Sequence, residues 1–259
     1  MTGIPLRLRR IASEGRFVMV PMDHGVSDGP LPGIVEVSAA IRAADAGGAT
    51  AIVLHKGLVP RFLAAHPRSG LVVHASASTF AAPDILDKRV VTTAEEALTL
   101  GADAISLHIN VGSPTEPEQL QDLARTTEAA HRLGLPVMAM MYPRGPAVHD
   151  PFDPQRVAHA ARLGEELGAD IIKTLYTGDP KSFGDVVAAL GVPVLVAGGP
   201  KTKSHRDVLA MVEQAMSAGA AGVSMGRNVF QHPDPQAMTA ALRRIIVEGV
   251  PAKEALAPE

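Results

Sequence analysis

The chain has 259 residues, of which 46% are hydrophobic, and a formal net charge of −3 at pH 7. This charge gives no electrostatic basis for binding nucleic acid or an anionic membrane, and aromatic residues, at 3%, are too few for base-stacking platforms. The chain contains no cysteine, which excludes disulfides, thiolate metal ligands and a thiol nucleophile. No apolar run approaches the roughly 20 residues of a membrane-spanning helix. We therefore expect a soluble, cytoplasmic protein.

Short apolar runs alternate with longer amphipathic stretches along the chain. Most of the runs lack a period of two, which is typical of strands buried on both faces of a parallel sheet. Strands are predicted at residues 17–23, 51–56, 71–77, 104–110, 137–143, 171–176, 192–198 and 222–228. Helices are predicted at residues 34–47, 116–134, 154–168, 205–219 and 235–249. The segment 78–101 fits the alternation poorly, and we expect a short strand near residues 89–91 and a helix at 93–100.

One joint between helix and strand recurs four times, as GGATAIV, GADAIS, GADIIK and GAAGVS. Repeated βα units with eight strands in about 250 residues predict an α/β protein of the (β/α)₈ TIM-barrel class. An open doubly wound sheet is the alternative. It usually carries a glycine-rich phosphate loop after its first strand, whereas this strand ends in MDHGVSDGP. No linker interrupts the pattern, so residues 1–259 are predicted to form one domain.

The active site of such a barrel forms at the C-terminal ends of its strands. Polar residues collect at these positions in this chain: Asp23, His24, His55, Lys56, His108, Asn110, Tyr142, Arg144, Lys173, Lys201 and Arg227.

Lys173 is the most informative of these residues because it interrupts the aliphatic run IIKTLY. Burial disfavours a charged ammonium, and a neutral amine can attack a carbonyl to form a Schiff base. The protonated imine then stabilises an adjacent carbanion or enamine, which is the requirement of a class I aldolase. The alternative is a lysine that extends its alkyl chain to the barrel mouth or pairs with a carboxylate.

Two further residues fit this chemistry. Tyr142 ends the strand beside Lys173, where its hydroxyl could exchange a proton with a substrate. Asp23 follows the first strand, three strands from Lys173 around the barrel, where it could act as a base or a proton relay. The alternatives are a rim tyrosine that buries its ring and an aspartate that caps a helix. Both tyrosines of the chain, Tyr142 and Tyr176, are predicted to lie at the mouth.

Two turns rich in glycine predict a phosphate site. VAGGPK follows the seventh strand and SMGRN follows the eighth. Gly198, Gly199 and Gly226 let the backbone approach an anion closely, and Lys201 and Arg227 supply positive charge. Barrels often bind phosphate between these two loops, where the next helix adds its positive N-terminus.

A metal site is disfavoured. The ten histidines form no HExxH or HxxxH motif on a predicted helix. His24, His55, His74 and His108 lie on different strands, so a barrel mouth could gather some of them, and metal-dependent aldol chemistry stays open from spacing alone. Because no carboxylate partner is evident, we expect neither a metal nor another cofactor, and a structural role is the default for His74.

Five segments in order resemble the archaeal-type class I aldolases: PMDHGVSDGP, MAMMYPRG, DIIKTLYTGD, VLVAGGPK and GVSMGRNVFQHPDP. This group includes the archaeal fructose-bisphosphate aldolases and the 2-amino-3,7-dideoxy-D-threo-hept-6-ulosonate synthases. The resemblance implies a (β/α)₈ barrel, a homo-oligomer, Lys173 as the Schiff-base lysine, Tyr142 as proton donor and Asp23 as proton acceptor. It also implies that a phosphorylated sugar is contacted by His24, Gly25, Val26, Ser27, Pro143, Arg144, Gly198, Gly199, Gly226 and Arg227. Lys201 is added to these residues on the charge argument given above.

The chain resembles the heptulosonate synthases more than the sugar aldolases of the group. Those aldolases tend to carry a tryptophan before the YPRG turn, whereas here the turn follows MAMM and the chain has no tryptophan. The resemblance implies a donor that is dihydroxyacetone phosphate or a deoxy-ketohexose phosphate, L-aspartate 4-semialdehyde as acceptor, and a place in aromatic or aminobenzoate-type biosynthesis. Candidates for binding the acceptor's carboxylate and ammonium are Lys56, Arg144, His149 and Asp179.

Three alternative functions remain. The first is a class I fructose-bisphosphate aldolase. The second is a sugar-phosphate isomerase, which would tolerate loss of Lys173. The third is a non-catalytic regulator that binds a sugar phosphate and forms no imine.

Overall fold

The computed structural model describes residues 3–199 and 204–256. The strands are β1 (Phe17–Pro21), β2 (Ala51–His55), β3 (Gly70–His74), β4 (Ser76–Ala77), β5 (Arg89–Val90), β6 (Ala104–Val111), β7 (Val137–Pro143), β8 (Ile171–Thr174), β9 (Val194–Ala197) and β10 (Gly222–Ser224). The helices are α1 (Gly3–Arg10), α2 (Gly25–Asp28), α3 (Val37–Ala46), α4 (Val59–Ala65), α5 (Ala94–Thr99), α6 (Glu116–Arg132), α7 (Pro154–Glu166), α8 (Pro180–Ala188), α9 (His205–Ser217), α10 (Arg227–Phe230), α11 (Pro235–Ile246) and α12 (Ala252–Ala255). A 3₁₀ turn spans Lys56–Leu58.

Eight of the strands close into a parallel barrel in the order β1-β2-β3-β6-β7-β8-β9-β10, with β10 paired to β1. Every residue of β2, β3, β7 and β8 is buried. This explains why the apolar runs do not alternate, since the barrel interior covers one face and the helices cover the other. The predicted (β/α)₈ barrel is confirmed.

Helix caps fix where several turns after the strands end. The side chains of Asp153, Asp179, Ser204 and Asp234 each accept a hydrogen bond from a backbone N–H near the start of a helix. Proline occupies the first turn in three of these helices, where its missing N–H costs nothing. Three of these helices begin at the predicted residues Pro154, His205 and Pro235, whereas the sequence pattern did not predict α8.

Several strands end earlier than predicted, and two of the differences are large. The last barrel strand ends at Ser224, and Arg227 belongs to α10, because the N–H groups of Val229 and Phe230 bond to the carbonyl of Gly226 at 2.8 and 2.9 Å. The third barrel strand ends at His74, after which β4 turns away and pairs antiparallel with β5. The sequence pattern missed α1, α2, α4, α8, α10 and α12, which are too short for a clear helical period.

Residues 78–88, between β4 and β5, form an excursion that we call the β4–β5 loop. The carbonyl of Leu86 accepts hydrogen bonds from Asn110 Nδ2 at 2.9 Å and Gln119 Nε2 at 2.8 Å. At the other end, the carbonyl of Ser78 accepts from Ser27 Oγ at 3.0 Å. These bonds tie the loop to β6 and α6 on one side and to α2 on the other, so the loop is held at the mouth of the barrel.

Candidate active site

A cavity of about 270 Å³ opens where the barrel strands end. Titratable and cationic residues dominate its walls: Asp23, His24, Asp28, His55, His74, Lys88, His108, Tyr142, Arg144, Lys173 and Arg227. The cavity lies at the end of the barrel where the sequence predicts a site.

Lys173 lies in the middle of β8 with 7% of its surface exposed. Strand pairing places Met140 on one side and Leu195 on the other. Its Nζ lies 3.9 Å from Met140 Sδ, and no carboxylate of residues 3–199 or 204–256 lies within 4.0 Å of it. A structural ion pair therefore does not explain this buried lysine, and its amine faces the cavity.

Asp23 is the carboxylate at the centre of a histidine cluster. His24 Nδ1 lies 3.6 Å from its Oδ1, and His74 Nε2 lies 3.7 Å from its Oδ2. Burial alone would raise the pKa of Asp23, but positive charge on Lys173, and on His74 and His24 once they are protonated at low pH, holds the pKa of this carboxyl below its usual range. Asp23 is therefore ionised, and it is close enough to Lys173 for their charges to interact.

His74 supports Asp23 as a neutral side chain. Burial lowers the pKa of His74 to about 3 despite the opposing charge of Asp23. Its Nδ1 lies 2.9 Å from Ser106 Oγ, and its ring packs edge-on against His55. When Ser106 donates to Nδ1, the hydrogen on Nε2 faces Asp23. The sequence predicts a structural role for His74, and the structure adds that this side chain lines the cavity.

Tyr142 is held by ring contacts on two sides. His108 packs edge-on at 4.9 Å between ring centroids, and the guanidinium carbon of Arg144 lies 4.6 Å from the ring centre. Among the described residues the hydroxyl has no hydrogen-bond partner, which leaves it available to a substrate in the cavity. Tyr176 does not lie at this mouth. Its ring packs on Phe183 and its hydroxyl donates to Gln214 Oε1, between α8 and α9.

His108 completes this wall of the cavity. Its Nε2 lies 2.8 Å from Asn110 Oδ1, so it donates to that amide oxygen. Burial, reinforced by the charges of Arg144 and Lys88, lowers the pKa of His108 well below its ordinary value. His108 is therefore a neutral group that packs against Tyr142 rather than a competing cation.

The first of two cationic regions, which we call the glycine end, consists of Gly198, Gly199, Gly226 and Arg227. Gly199 has a φ of +63°, and a Cβ on Gly226 would lie 2.5 Å from the His24 ring. Arg227 Nη2 donates to the carbonyl of Gly199 at 3.4 Å, while Arg227 Nε is buried and has no hydrogen-bond partner among the described residues. Exposed backbone beside an unused guanidinium N–H suits an anion. Lys201, also predicted here, lies outside the described residues.

The second cationic region, which we call the loop end, consists of Lys88 and Arg144. The β4–β5 loop contributes Ile85, Leu86 and Lys88 to the cavity wall. The sequence did not single out Lys88, because it lies in the segment whose structure could not be read from the alternation of strands and helices. The one available signal was a lysine just before the predicted strand at residues 89–91.

Several predicted contact residues do not reach the cavity wall. His24 and Ser27 line it, but Gly25 and Val26 face a separate, more apolar pocket, because residues 25–28 form a helical turn that points its side chains in different directions. Pro143 is buried at the end of β7, beside Val111 of β6.

Of the predicted acceptor-binding residues, only Arg144 lines the cavity. Lys56 pairs with Glu96 at 3.0 Å, and Asp179 accepts a hydrogen bond from the N–H of Ser182 as the cap of α8. His149 lies exposed in the turn that follows β7. Helix capping and a local ion pair account for two of these side chains without any ligand.

The four cavity histidines, His24, His55, His74 and His108, do gather as the spacing allowed. Within residues 3–199 and 204–256, however, no group of three or more histidines or carboxylates is placed to hold a metal ion. Over the same residues no helix has both the length and the apolar character needed to cross a bilayer.

Comparison with known proteins identifies the family. The model of the DeoC/LacD family aldolases matches residues 17–232. The chain is a DeoC/LacD family aldolase. The predicted family and an aldolase activity are thereby confirmed.

This aldolase has curated relatives along nearly its whole length. It is 47% identical over 258 residues to a 2-amino-3,7-dideoxy-D-threo-hept-6-ulosonate synthase of Halobacterium salinarum, covering 98% of this chain and 96% of the relative. It is 44% identical over 247 residues to a 2-amino-4,5-dihydroxy-6-oxo-7-(phosphonooxy)heptanoate synthase of Streptomyces griseus, covering 93% and 89%. A solved Schiff-base-forming fructose-1,6-bisphosphate aldolase superposes with a TM-score of 0.87 at 33% identity, covering 94% of this chain and 99% of the other.

Proposed function

We propose that this aldolase joins a phosphorylated ketose donor to L-aspartate 4-semialdehyde through a Schiff base on Lys173. The donor is dihydroxyacetone phosphate or a deoxy-ketohexose phosphate. The observation that carries the proposal is Lys173 itself: a buried amine with no carboxylate within 4.0 Å among the described residues, facing a cavity that also holds the Asp23 carboxylate and the Tyr142 hydroxyl.

The product named for the Streptomyces griseus relative supports this choice of substrates. In 2-amino-4,5-dihydroxy-6-oxo-7-(phosphonooxy)heptanoate, carbon 5 is adjacent to the ketone and carbon 4 carries a hydroxyl. An aldol reaction therefore forms the bond between carbons 4 and 5. Breaking that bond gives dihydroxyacetone phosphate and 2-amino-4-oxobutanoate, which is aspartate semialdehyde.

The cavity residues suit each step of such a reaction. The Lys173 side chain gives up a proton and attacks the donor ketone through its amine, and return of that proton with loss of water gives the protonated imine. The Asp23 carboxylate removes a proton from the adjacent carbon, which leaves an enamine. The enamine attacks the aldehyde carbon of the acceptor, and the Tyr142 hydroxyl protonates the alkoxide that forms. Water then hydrolyses the imine and restores Lys173. A donor phosphate fits the glycine end, where Arg227 Nε has no hydrogen-bond partner within residues 3–199 and 204–256.

A class I fructose-bisphosphate aldolase is the second candidate. It is favoured by the solved relatives and by a class 1 fructose-bisphosphate aldolase of Thermoproteus tenax that is 35% identical over 248 residues. Its substrate carries two phosphates, and the cavity has two cationic ends. When the donor is dihydroxyacetone phosphate, the two candidates share it and differ in the acceptor.

A competition between acceptors tests the proposal. Dihydroxyacetone phosphate is offered with equal amounts of L-aspartate 4-semialdehyde and glyceraldehyde 3-phosphate, and the products are identified by mass spectrometry. We expect the seven-carbon amino acid as the main product and none from Lys173→Met. Fructose 1,6-bisphosphate as the main product would establish the second candidate instead. A Lys173→Met protein that still turned over a sugar phosphate would overturn both and favour an isomerase.

A further inference from the structure

Lys88 is a partly buried cation that the reaction steps above leave unused. Its Nζ donates to Ser78 Oγ at 2.6 Å, and Ser78 Oγ in turn donates to the carbonyl of Ile85 at 2.7 Å. Among the described residues no carboxylate lies within 4.0 Å of Nζ. A neutral hydroxyl is thus its hydrogen-bond partner, and no acid among these residues pairs with its positive charge.

A second cation lies near Lys88. Burial lowers the pKa of Lys88, and the charge of Arg144 lowers it further. Arg144 itself forms no ion pair with any described carboxylate, and its guanidinium lies over the Tyr142 ring. Two like charges beside one cavity wall repel each other, and an anion bound between them relieves that repulsion.

Hydrogen bonds to the β4–β5 loop fix the position of Lys88 relative to the barrel. Leu86, two residues before it, is fixed by the side-chain amides of Asn110 and Gln119, and Ser78 is fixed by Ser27. Since Asn110 lies at the end of β6, the loop end sits above β6. In the ring of eight strands, β6 lies directly opposite β10, next to the glycine end. A substrate spanning the cavity therefore meets positive charge at both extremities.

A negatively charged side chain, Asp28, lies near the loop end. Asp28 lines the same cavity, is exposed, and has no described cation within 4.0 Å. The charges of Asp23 and then of Asp28 raise the pKa of Lys88, opposing the effect of Arg144. The wall thus offers two cations and one anion, which is the complement of a group that carries a carboxylate and an ammonium.

We infer that Lys88, with Arg144, binds the carboxylate of the acceptor aldehyde, while Asp28 faces its ammonium, so that the β4–β5 loop determines which aldehyde is used. This inference rests on the proposed function, since it assigns the acceptor half of that reaction. It makes Lys88 a specificity-determining residue that touches the substrate but takes no part in the bond-forming step.

The test compares acceptors in Lys88→Gln, which retains a hydrogen-bond donor for Ser78 and loses the charge. The readout is kcat/KM for L-aspartate 4-semialdehyde divided by kcat/KM for butanal, which is of similar length and uncharged. We expect this ratio to fall on the order of 10-fold to 100-fold, mainly through a higher KM for the semialdehyde. Lys88→Arg should retain most of the preference. Asp28→Asn should reduce the preference for the semialdehyde over succinate semialdehyde, which lacks the amino group.

Lys56→Gln is the matched control, because Lys56 pairs with Glu96 and does not line this cavity. Its ratio should equal that of the wild type. An unchanged ratio in Lys88→Gln would overturn the inference. A loss confined to glyceraldehyde 3-phosphate would also overturn it, since the loop end would then bind a phosphate.

Borohydride trapping of dihydroxyacetone phosphate separates this failure from failure of the proposed function. Lys88→Gln should still trap the donor on Lys173, which also shows that the variant folds. If the wild type traps no ketose phosphate, the proposed function itself is wrong, whatever the acceptor ratio.

Discussion

The glycine end and the loop end of the cavity both carry positive charge, but different kinds of chain supply it. Gly198, Gly199 and Arg227 follow directly from barrel strands, so the closed sheet fixes where they lie. Lys88 comes from an excursion that leaves the barrel after β3 and is tied back by side-chain hydrogen bonds to Leu86 and Ser78.

Because of this difference, the glycine end depends on the barrel strands themselves, whereas the loop end can change without altering those strands. A change in the β4–β5 loop leaves the strands and Lys173 in place, whereas a change at the glycine end alters a turn between a strand and a helix. Loops on a rigid scaffold commonly carry specificity for this reason. We expect the donor end to be shared by reactions of this kind and the loop end to select the acceptor.

The largest expected effect is the loss of activity when Lys173 is replaced, because the imine is needed by the substrates bound at both ends of the cavity. Lys173→Met removes the amine on which the proposed imine forms and keeps an apolar side chain among Met140 and Leu195. We expect turnover with every donor and acceptor to fall on the order of 10⁴-fold or more. Turnover is measured by product formation, with thermal unfolding as the check on folding. Activity within about tenfold of the wild type would show that Lys173 is not the nucleophile.

The next largest effect is on the rate of proton transfer, and it too should not depend on which end of the cavity a substrate occupies. Tyr142→Phe should lower kcat by about 10²-fold to 10⁴-fold, because the hydroxyl that protonates the new alkoxide is lost. Tyr176→Phe is its control, since that hydroxyl bonds to Gln214 away from the cavity. Equal activities of the two variants would remove Tyr142 from the reaction.

Arg227→Gln should affect the glycine end and leave the loop end unchanged. The glycine end loses its guanidinium, so we expect KM for dihydroxyacetone phosphate to rise on the order of 10-fold to 100-fold, with little change in the preference among acceptors. Steady-state kinetics with each substrate varied in turn measures both quantities. Arg156→Gln, on the exposed face of α7, should match the wild type. A change in acceptor preference without a change in donor KM would reverse the assignment of the two ends.

The smallest effect concerns how the stability of the protein depends on pH. It involves His74, which lies between the glycine end and the loop end of the cavity. Its folded-state pKa of about 3 lies below the 6.5 of an unperturbed histidine, so the unfolded chain binds more protons between these values. Stability therefore falls as the pH falls from 6.5, by up to about 1.4 kcal/mol per pH unit from this group. Urea unfolding at several pH values should show a shallower slope in His74→Gln than in the wild type. The exposed His159→Gln should leave the slope unchanged, and an unchanged slope in His74→Gln would contradict the burial argument.

Much of this architecture is predictable because a barrel imposes local rules. Strands such as β7 and β8 are continuous apolar runs, and a lysine within one of them is conspicuous, so Lys173 and its neighbour Tyr142 could be found from the sequence. Asp23 and Arg227 follow because they lie next to strand ends. The predicted end of β10 is wrong because the apolar Met225 follows Ser224 and no proline or helix-capping side chain marks the short helix α10.

The loop end could not be predicted in this way. Lys88 reaches the cavity only because side chains distant in the sequence, Asn110, Gln119 and Ser27, hold the β4–β5 loop over the barrel. Such tertiary bonds leave no periodic signal. Conversely, Lys56 and Asp179 looked like binding residues, but an ion pair and a helix cap account for them.

The central claim is that Lys173, and not the second lysine of the cavity, forms the imine. The most direct test is to incubate the protein with dihydroxyacetone phosphate or a deoxy-ketohexose phosphate, reduce it with borohydride, and locate the added mass by peptide mass spectrometry. We predict an adduct on the peptide that contains Lys173 and none on the peptide that contains Lys88. An adduct on Lys88, or no adduct with either donor, would contradict the account.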